Sequence, residues 1–411
     1  MAKGTRTGGR AATLGVIPGR MALSVGRPNL PEPDGFGWTS LETVARLESG
    51  HTPSRSRDDY WNGDIPWIGI RDATEHHGQT ICTTNEAVTQ LGIDNSSARV
   101  LPAGTVCLSR TASVGYVVVM GVPMATSQDF VNWVCGPQLN ASYLRYVLML
   151  EQDSVRRFAH GTTHQTMYYP EAKALHALLP SRSKQDAIAE VLGALDDKIA
   201  ANSRILSSAK QLVNAELDSA LAAGLETRTV DQLAIFHNRR RIPLSANQRK
   251  ERAGEVPYFG AAGPIDTVDE ALFDEEIVLV GEDGSVMTER GGPVVQYVWG
   301  PCWVNNHAHV LTGYSVSTPF LRSLIERGNV APLVTGAVQP KLSMGNLKRL
   351  ELRVPINSSG LQERVDAHAA IERAKTSESR LLASIRDALL PLLMSGKVTI
   401  KNAQSVVGEV L

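Results

Sequence analysis

The sequence predicts a mixed α/β (α+β) chain. Two similar globular domains are separated by two long antiparallel coiled-coil helices, a pseudo-twofold plan within one polypeptide. Three observations predict it. Four short motifs recur in the same order in the two halves. A long, proline-poor amphipathic stretch follows each copy. The composition supports buried cores, since 43% of the 411 residues are apolar and 20% are charged. That length suits about two or three domains.

Taken in order, residues 1–35 are rich in Gly, Pro and Arg and carry no acid before Glu32. They read as a flexible basic leader. Residues 36–180 form the first head and 226–355 the second. Gly-Asp-Ile-Pro-Trp-Ile-Gly (63–69) is echoed by Gly-Glu-Val-Pro-Tyr-Phe-Gly (254–260). Residues 101–108 resemble 273–280, each a polar turn running into a buried strand. Ala-Thr-Ser-Gln-Asp-Phe-Val (125–131) pairs with Val-Asn-Asn-His-Ala-His-Val (304–310). Gly-Thr-Thr-His-Gln (161–165) pairs with Gly-Ala-Val-Gln-Pro (336–340). Pro180 and Pro355 follow at equal distance.

Residues 181–225 read as the first spacer helix. Ile188, Leu192, Leu195, Ile199, Leu206 and Val213 recur at alternating 4 and 3 spacing, the a/d seam of a coiled coil, with Asn202 and Glu216 as polar breaks. From Gln185 to Leu221, where no proline interrupts, such a helix is about 50 Å long. Residues 356–400 repeat the pattern with Ile371, Leu381, Ile385 and Leu392, and Glu378 as the break. Pro391 and Gly396 end it. Residues 401–411 remain as a tail. Neither helix buries a stripe alone, so the two pack on one another.

Several function classes drop out. The chain has no GxxxxGK[ST], no GxGxxG after a strand, no GxSxG, no HExxH and no Asn-Pro-Pro-aromatic tetrapeptide. Glu171-Ala172-Lys173 fits half of a nuclease motif, but no Pro-Asp pair sits suitably upstream. Four scattered cysteines without a CxxC pair fit a reducing cytoplasm. No apolar run is long enough to span a membrane. A net charge of −1 means that any grip on nucleic acid comes from local patches or from partners.

Duplex DNA suits two related heads at a fixed separation, because its geometry repeats every ~34–36 Å. The strongest basic cluster is Arg239, Arg240, Arg241, Arg249, Lys250 and Arg252, read as a loop before a strand. Arginine forks match guanine edges and phosphates. The corresponding stretch of the first head holds His51, Thr52, Arg55, Ser56 and Arg57. Arg110 sits in a loop between two strands, where the second head is acidic at Glu282 and Asp283, so the heads should read different sequences. The loops Thr162, Thr163, His164, Gln165 and Gln339, Lys341 allow close backbone approach, and Gln pairs with adenine. His307 and His309 alternate on one side of an expected strand, but no third ligand points to a metal. Trp61, Trp67, Trp133, Trp299 and Trp303 read as core.

These segments resemble the specificity subunit of type I restriction–modification systems. The resemblance rests on Gly-Asp-Ile-Pro-Trp-Ile (63–68), Thr-Ser-Gln-Asp-Phe (126–130), Ala-Ile-Ala-Glu-Val-Leu-Gly-Ala-Leu-Asp-Asp-Lys-Ile (187–199), Val-Asn-Asn-His-Ala-His-Val-Leu (304–311), Gln-Pro-Lys-Leu-Ser (339–343) and Leu-Leu-Pro-Leu-Leu-Met-Ser-Gly (389–396). It covers nearly all of 36–400, and 187–199 is its most specific part. It implies two target-recognition domains, each reading half of a split duplex DNA target. The helices would set the gap and dock two methyltransferase subunits, with restriction subunits as further partners. Chemistry would lie in those partners, with S-adenosylmethionine, ATP and Mg. This chain would be non-catalytic and would bind no cofactor or metal. Two departures touch the head–helix junction: residues 178–185 are less proline-rich than usual in the family, and Thr166 stands where the second copy has Lys341. The alternative reading is a non-DNA adaptor with two protein-binding heads on a coiled-coil rod.

Overall fold

A computed structural model describes residues 15–161, 165–336, 338–356 and 358–411. The chain divides into two compact units, residues 1–199 with 380–411, and residues 200–379. Each unit holds one head and part of both long helices, whereas the sequence reading treats heads and helices as separate segments.

In the first unit, strand Phe36–Ser40 passes through one helical turn, Leu41–Val44, into strand Ala45–Ser49. Phe36 and Trp38 alternate inward, as a half-buried strand requires. Ala45–Ser49 edges a five-stranded sheet, followed by Phe130–Cys135, Val106–Ser109, Val117–Met120 and Thr80–Ile81. A three-stranded sheet, Ala125–Thr126, Trp61–Ile68 and Glu86–Val88, accompanies it. Helix Ala141–Leu150 starts at Asn140, whose side chain accepts the Tyr143 N–H, and buries Tyr143, Leu144, Tyr146 and Val147.

The leader reading fails from residue 15 onward. Leu23–Val25 pairs antiparallel with Leu175–Pro180, which pairs with Phe36–Ser40 on its other edge. The cause is Glu151. Its fully buried carboxylate accepts the backbone N–H groups of Arg20 (2.8 Å), Met21 (2.6 Å) and Ala22 (2.5 Å). Residues 1–14 lie outside the described residues. The tail also differs. Ile400–Gly408 is a helix capped by Thr399, and its Ala403 and Val407 enter the core of the first unit.

In the second unit, Leu225–Thr229 pairs with Glu351–Pro355 and leads through Val230–Leu233 into Ala234–Phe236. One four-stranded sheet runs Ala234–Phe236, Ala308–Gly313, Ile277–Gly281, Val295–Val298. Another runs Pro264–Val268, Val256–Phe259, Pro301–Val304, Phe273–Asp274.

The duplication is visible in the registers. Phe36 faces Pro180 as Leu225 faces Pro355. Trp67 faces Ala125 as Tyr258 faces Trp303. Leu108 faces Val131 as Val280 faces His309. Residues 63–69 and 101–108 therefore match their sequence-read partners, and the described Gly161 and Gln165 lie between the bridged pair His160–Thr166, the counterpart of Thr335–Lys341. The third motif is corrected by one residue, because Ala125 corresponds to Trp303 and not to Val304. A strand slipped by one would turn every side chain to the other face.

The long helices are Arg182–Ala223 and Ser359–Met394. In the first unit, Ile188, Leu192 and Leu195 share a core with Leu382, Leu389, Leu390 and Leu393, and Ile199 and Ile385 pack against it. In the second, Leu217 shares a core with Leu361 and Val365, and Val213 packs against it. The early part of one helix thus meets the late part of the other, so they run antiparallel. All three polar breaks are answered: Asn202 Nδ2 donates to Glu378 Oε2 (3.1 Å) and Ser379 Oγ (3.2 Å), and Arg364 pairs with Glu216 (3.1 Å). A buried polar pair of this kind fixes helix register.

The seam of the second helix is corrected. Ile371 is 40% and Leu381 57% exposed, and the buried line runs through Leu361, Val365, Ala369, Leu382, Leu389 and Leu393. The head junctions set this phase. Gln185 Oε1 accepts the Asn140 N–H (2.9 Å), and Gln362 Oε1 accepts the Ser317 N–H (3.0 Å). Counted from those glutamines, Ile188 matches Val365 and Leu192 matches Ala369. Leu206 and Leu392 are half-buried.

Candidate nucleic-acid interface

Each head brings three backbone segments to one place. In the first, the Arg110 N–H donates to the Asp129 carbonyl (2.7 Å), and the Met167 N–H donates to the Arg110 carbonyl (2.8 Å). In the second, the Glu282 N–H donates to the His307 carbonyl (2.8 Å), and the Leu342 N–H donates to the Glu282 carbonyl (2.9 Å). Arg110 and Glu282 therefore occupy one position in the repeated frame. The glycine loops close beside it through a two-way bridge, His160 with Thr166 and Thr335 with Lys341. Gly161 (φ 117°) and Gly336 (φ 88°) take the left-handed backbone that the turn needs.

Around this shared frame the side chains differ. In the first head, Arg110 Nε donates to the Gln128 carbonyl (3.1 Å), and Thr52 Oγ1 contacts the Gln128 side chain. Burial pulls the Arg110 pKa down, and Asp129 opposes that shift. In the second head, Arg241 Nη1 donates to Glu282 (2.8 Å) and to the Ala308 (2.6 Å) and Asn306 (3.4 Å) carbonyls. Lys341 lies 3.2 Å from Asp283. Gln165 and Gln339 are exposed, and Thr162, Thr163 and His164 lie outside the described residues.

The basic cluster is not a bare positive patch, nor a plain loop. Asn238–Arg240 is a 3-10 turn, and Ala246–Glu251 is a helix capped by Ser245. Arg240 pairs with Glu275 (2.5 Å) over the Phe273 ring, Arg249 with Asp266 (2.7 Å), and Arg252 with Asp269 (3.0 Å) and Glu270 (2.6 Å). Arg239 and Lys250 are exposed and make no ion pair among the described residues. In the first head, Arg55 holds Glu86 in a bidentate pair beneath which lies the Trp61 ring, 3.7 Å away, and Arg57 holds Asp59 (2.7 Å). These contacts hold the Glu86, Asp59 and Asp266 carboxyls below their ordinary range.

The histidines do not form a pair. His309 is fully buried, while His307 stands before the strand and is half-exposed. His309 Nε2–H donates to the Leu342 carbonyl (2.7 Å), and Asn238 Nδ2 donates to His309 Nδ1 (2.8 Å). Burial lowers the His309 pKa. No group of three metal-ligating side chains occurs among the described residues. Trp67, Trp133 and Trp303 are core residues, and Trp61 is half-buried under Arg55. Lys173 of the ExK triplet pairs with Glu42 (3.0 Å). No helix among the described residues is long and apolar enough to cross a membrane.

The sequence reading missed the carboxylate partners of the arginines and the Gln128 and Asn306 carbonyls. One signal was present: Arg249 and Asp266, like Arg252 and Asp269, are 17 positions apart, linking helix Ala246–Glu251 and its cap to the strand Pro264–Val268 and the residue after it.

The model of the type I restriction modification DNA specificity domain matches residues 33–211 and 223–373. The chain is 22% identical to the type I restriction enzyme MjaIX specificity subunit of Methanocaldococcus jannaschii, over 88% of this chain and 93% of that protein. It is 25% identical to the type I restriction enzyme EcoprrI specificity subunit of Escherichia coli, over 77% and 83%. The crystal structure of a type I restriction–modification S subunit from M. genitalium shares the fold, with a TM-score of 0.54 at 16% identity, over 89% of this chain and 98% of that one. These matches do not favour the adaptor reading. With one family match on each head, the chain belongs to the type I restriction–modification DNA specificity subunits.

Proposed function

We propose that this protein reads a bipartite duplex DNA target, one half with each head, for methyltransferase and restriction subunits that dock on it. The observation that carries this is the shared backbone frame with opposite charge at Arg110 and Glu282. Two heads with one frame and different side chains suit an asymmetric split target. Two methyltransferase subunits would dock along the long helices. Their chemistry would use S-adenosylmethionine, and ATP and Mg would serve the restriction subunits. This chain would act without a catalytic residue, metal or cofactor of its own. Its free cysteines suit a reducing cytoplasm.

The DNA contacts divide by their present partners. Arg110, Gln165, Arg239, Lys250 and Gln339 meet DNA directly. Arg55, Arg57, Arg240, Arg249 and Lys341 must first exchange a carboxylate for a phosphate or a base edge. Arg241 stays in its internal contacts. Thr162, Thr163 and His164 complete the first head's loop. Phosphate contacts set position and base-edge contacts set sequence.

The test is genome-wide adenine methylation in the native host, with and without this gene. Loss of one split motif with a fixed gap is expected. An unchanged methylome, with the complex expressed, would overturn the proposal.

A further inference from the structure

Most arginines singled out in the two heads share one habit. Arg55, Arg57, Arg240, Arg241, Arg249 and Arg252 each pair with a carboxylate. Arg239, which is exposed, and Arg110 do not among the described residues, and of these two only Arg110 is anchored. It is half-buried, its Nε is fixed to the Gln128 carbonyl (3.1 Å), and neither Nη group has a partner among the described residues. The result is an anchored guanidinium with its terminal fork unoccupied. Fixing such a side chain beforehand lowers the ordering cost of binding.

The second head shows what the same place looks like when the fork is taken. Asn306 stands at the register position of Gln128, because Ala308 and Phe130 begin equivalent strands opposite Gly281 and Ser109. The Arg241 guanidinium also donates to that carbonyl, but it arrives from the segment after Ala234–Phe236. Its Nη1 is held by Glu282 and Ala308 as well, and its Nε donates to Asn238 O (3.0 Å). The guanidinium keeps its place while its backbone origin moves. In one head its Nη groups have no partner among the described residues; in the other it is a strut.

We propose that Arg110 is a specificity-determining residue of the first head, reading a guanine through O6 and N7 with its free Nη fork. The second head makes no equivalent guanine contact through Arg241. A planar two-donor fork matches the two adjacent acceptors on the guanine major-groove edge, and no other base presents that pair. The proposal rests on the DNA-reading function put forward above.

The test uses the complete methyltransferase complex. Methylomes are compared for wild type, Arg110→Gln and Arg110→Lys. In the variants, one guanine of one half-site should relax, with discrimination falling on the order of 10- to 100-fold, and the other half-site should be unchanged. A second measurement needs no variant. Wild-type complex is bound to target duplexes carrying 7-deazaguanine, which lacks N7, at each guanine in turn. One position should lose roughly tenfold in affinity, and Arg110→Ala should be indifferent there. Variants that weaken binding uniformly with the motif retained would make Arg110 a phosphate contact and overturn the assignment. Insensitivity of the wild type to every 7-deazaguanine would overturn it too. A split motif that depends on this chain but ignores Arg110 sinks only the guanine assignment. The absence of any such motif sinks the DNA-reading proposal with it.

Discussion

The two heads fold to one set of hydrogen-bonded registers and then part company at their loops. Where the first carries Arg110 the second carries Glu282, and a guanidinium reaches the equivalent carbonyl from a different segment in each. The lesson is a division of labour. The strand frame decides where backbone goes, and the loops decide which side chain fills the space. A second contrast concerns how each head is closed. The first adds Leu23–Val25 to its terminal sheet through Glu151, whereas Leu225–Thr229 and Glu351–Pro355 form a two-stranded sheet.

The Glu151 clamp should give the largest effect. Glu151→Ala strands the Met21 and Ala22 backbone N–H groups, while the Arg20 N–H keeps Ser154 Oγ (2.9 Å); each stranded group costs about 1–3 kcal/mol. We expect about 3–5 kcal/mol lost from the first unit, with hydrogen exchange rising first at residues 17–25. The second unit should be untouched. A loss below about 1 kcal/mol would mean that the strand docks without its clamp.

Next come the two guanidinium positions. Arg241→Ala leaves the Glu282 carboxylate, which is 16% exposed, without its principal cation. A stability loss of about 3 kcal/mol is expected in the second unit. Arg110→Ala removes no carboxylate partner and should cost about 1 kcal/mol or less. Chemical denaturation of the two variants checks the order, and equal losses would erase the distinction between strut and reader.

Acid should act on His309, which occupies the register position of Val131. Burial lowers its native pKa, while the unfolded histidine titrates near 6.5. The unfolded chain therefore takes up the proton first as pH falls. The contribution is fully present above about pH 6.5 and is lost as pH drops below that toward the lowered native value. Glu282 and Asp283 favour the charged form, and Arg241 opposes it. Protection factors in the second unit, corrected for the intrinsic exchange rate at each pH, should fall on acidification, and His309→Gln should flatten that slope. His77 in the first head is also shifted down by burial, so the reading must be resolved by unit.

Much of this was legible in the sequence, and the failures have physical causes. Turn motifs and strand starts are local, so three of four repeats were read in register. The third motif slips by one because Thr-Ser-Gln-Asp-Phe and Val-Asn-Asn-His-Ala share almost no side chains, and only pairing to Trp67 and Tyr258 fixes the alignment. Seam phase in the second helix depends on Gln362 meeting Ser317, a contact 45 positions apart. The N-terminal strands depend on Glu151, 131 positions from Arg20. For the candidate site, residue types were readable but their availability was not. Six arginines looked alike until their carboxylates came in from neighbouring strands.

The smallest expected effects test that last point. Lys250 is exposed without an ion pair among the described residues, and Arg252 on the same turn is held by Asp269 and Glu270. A cation that meets a phosphate releases counterions and contributes about 0.9 to the slope of log affinity on log salt. Lys250→Ala in the assembled complex should therefore flatten the slope by about one. Arg252→Gln should flatten it less, because Arg252 must first leave two carboxylates that would then face the DNA unpaired. Salt titrations of both variants on one duplex read the difference. Equal slopes would mean that the paired arginines swing out onto the phosphates, and that the neutralised surface of the second head is only its resting state.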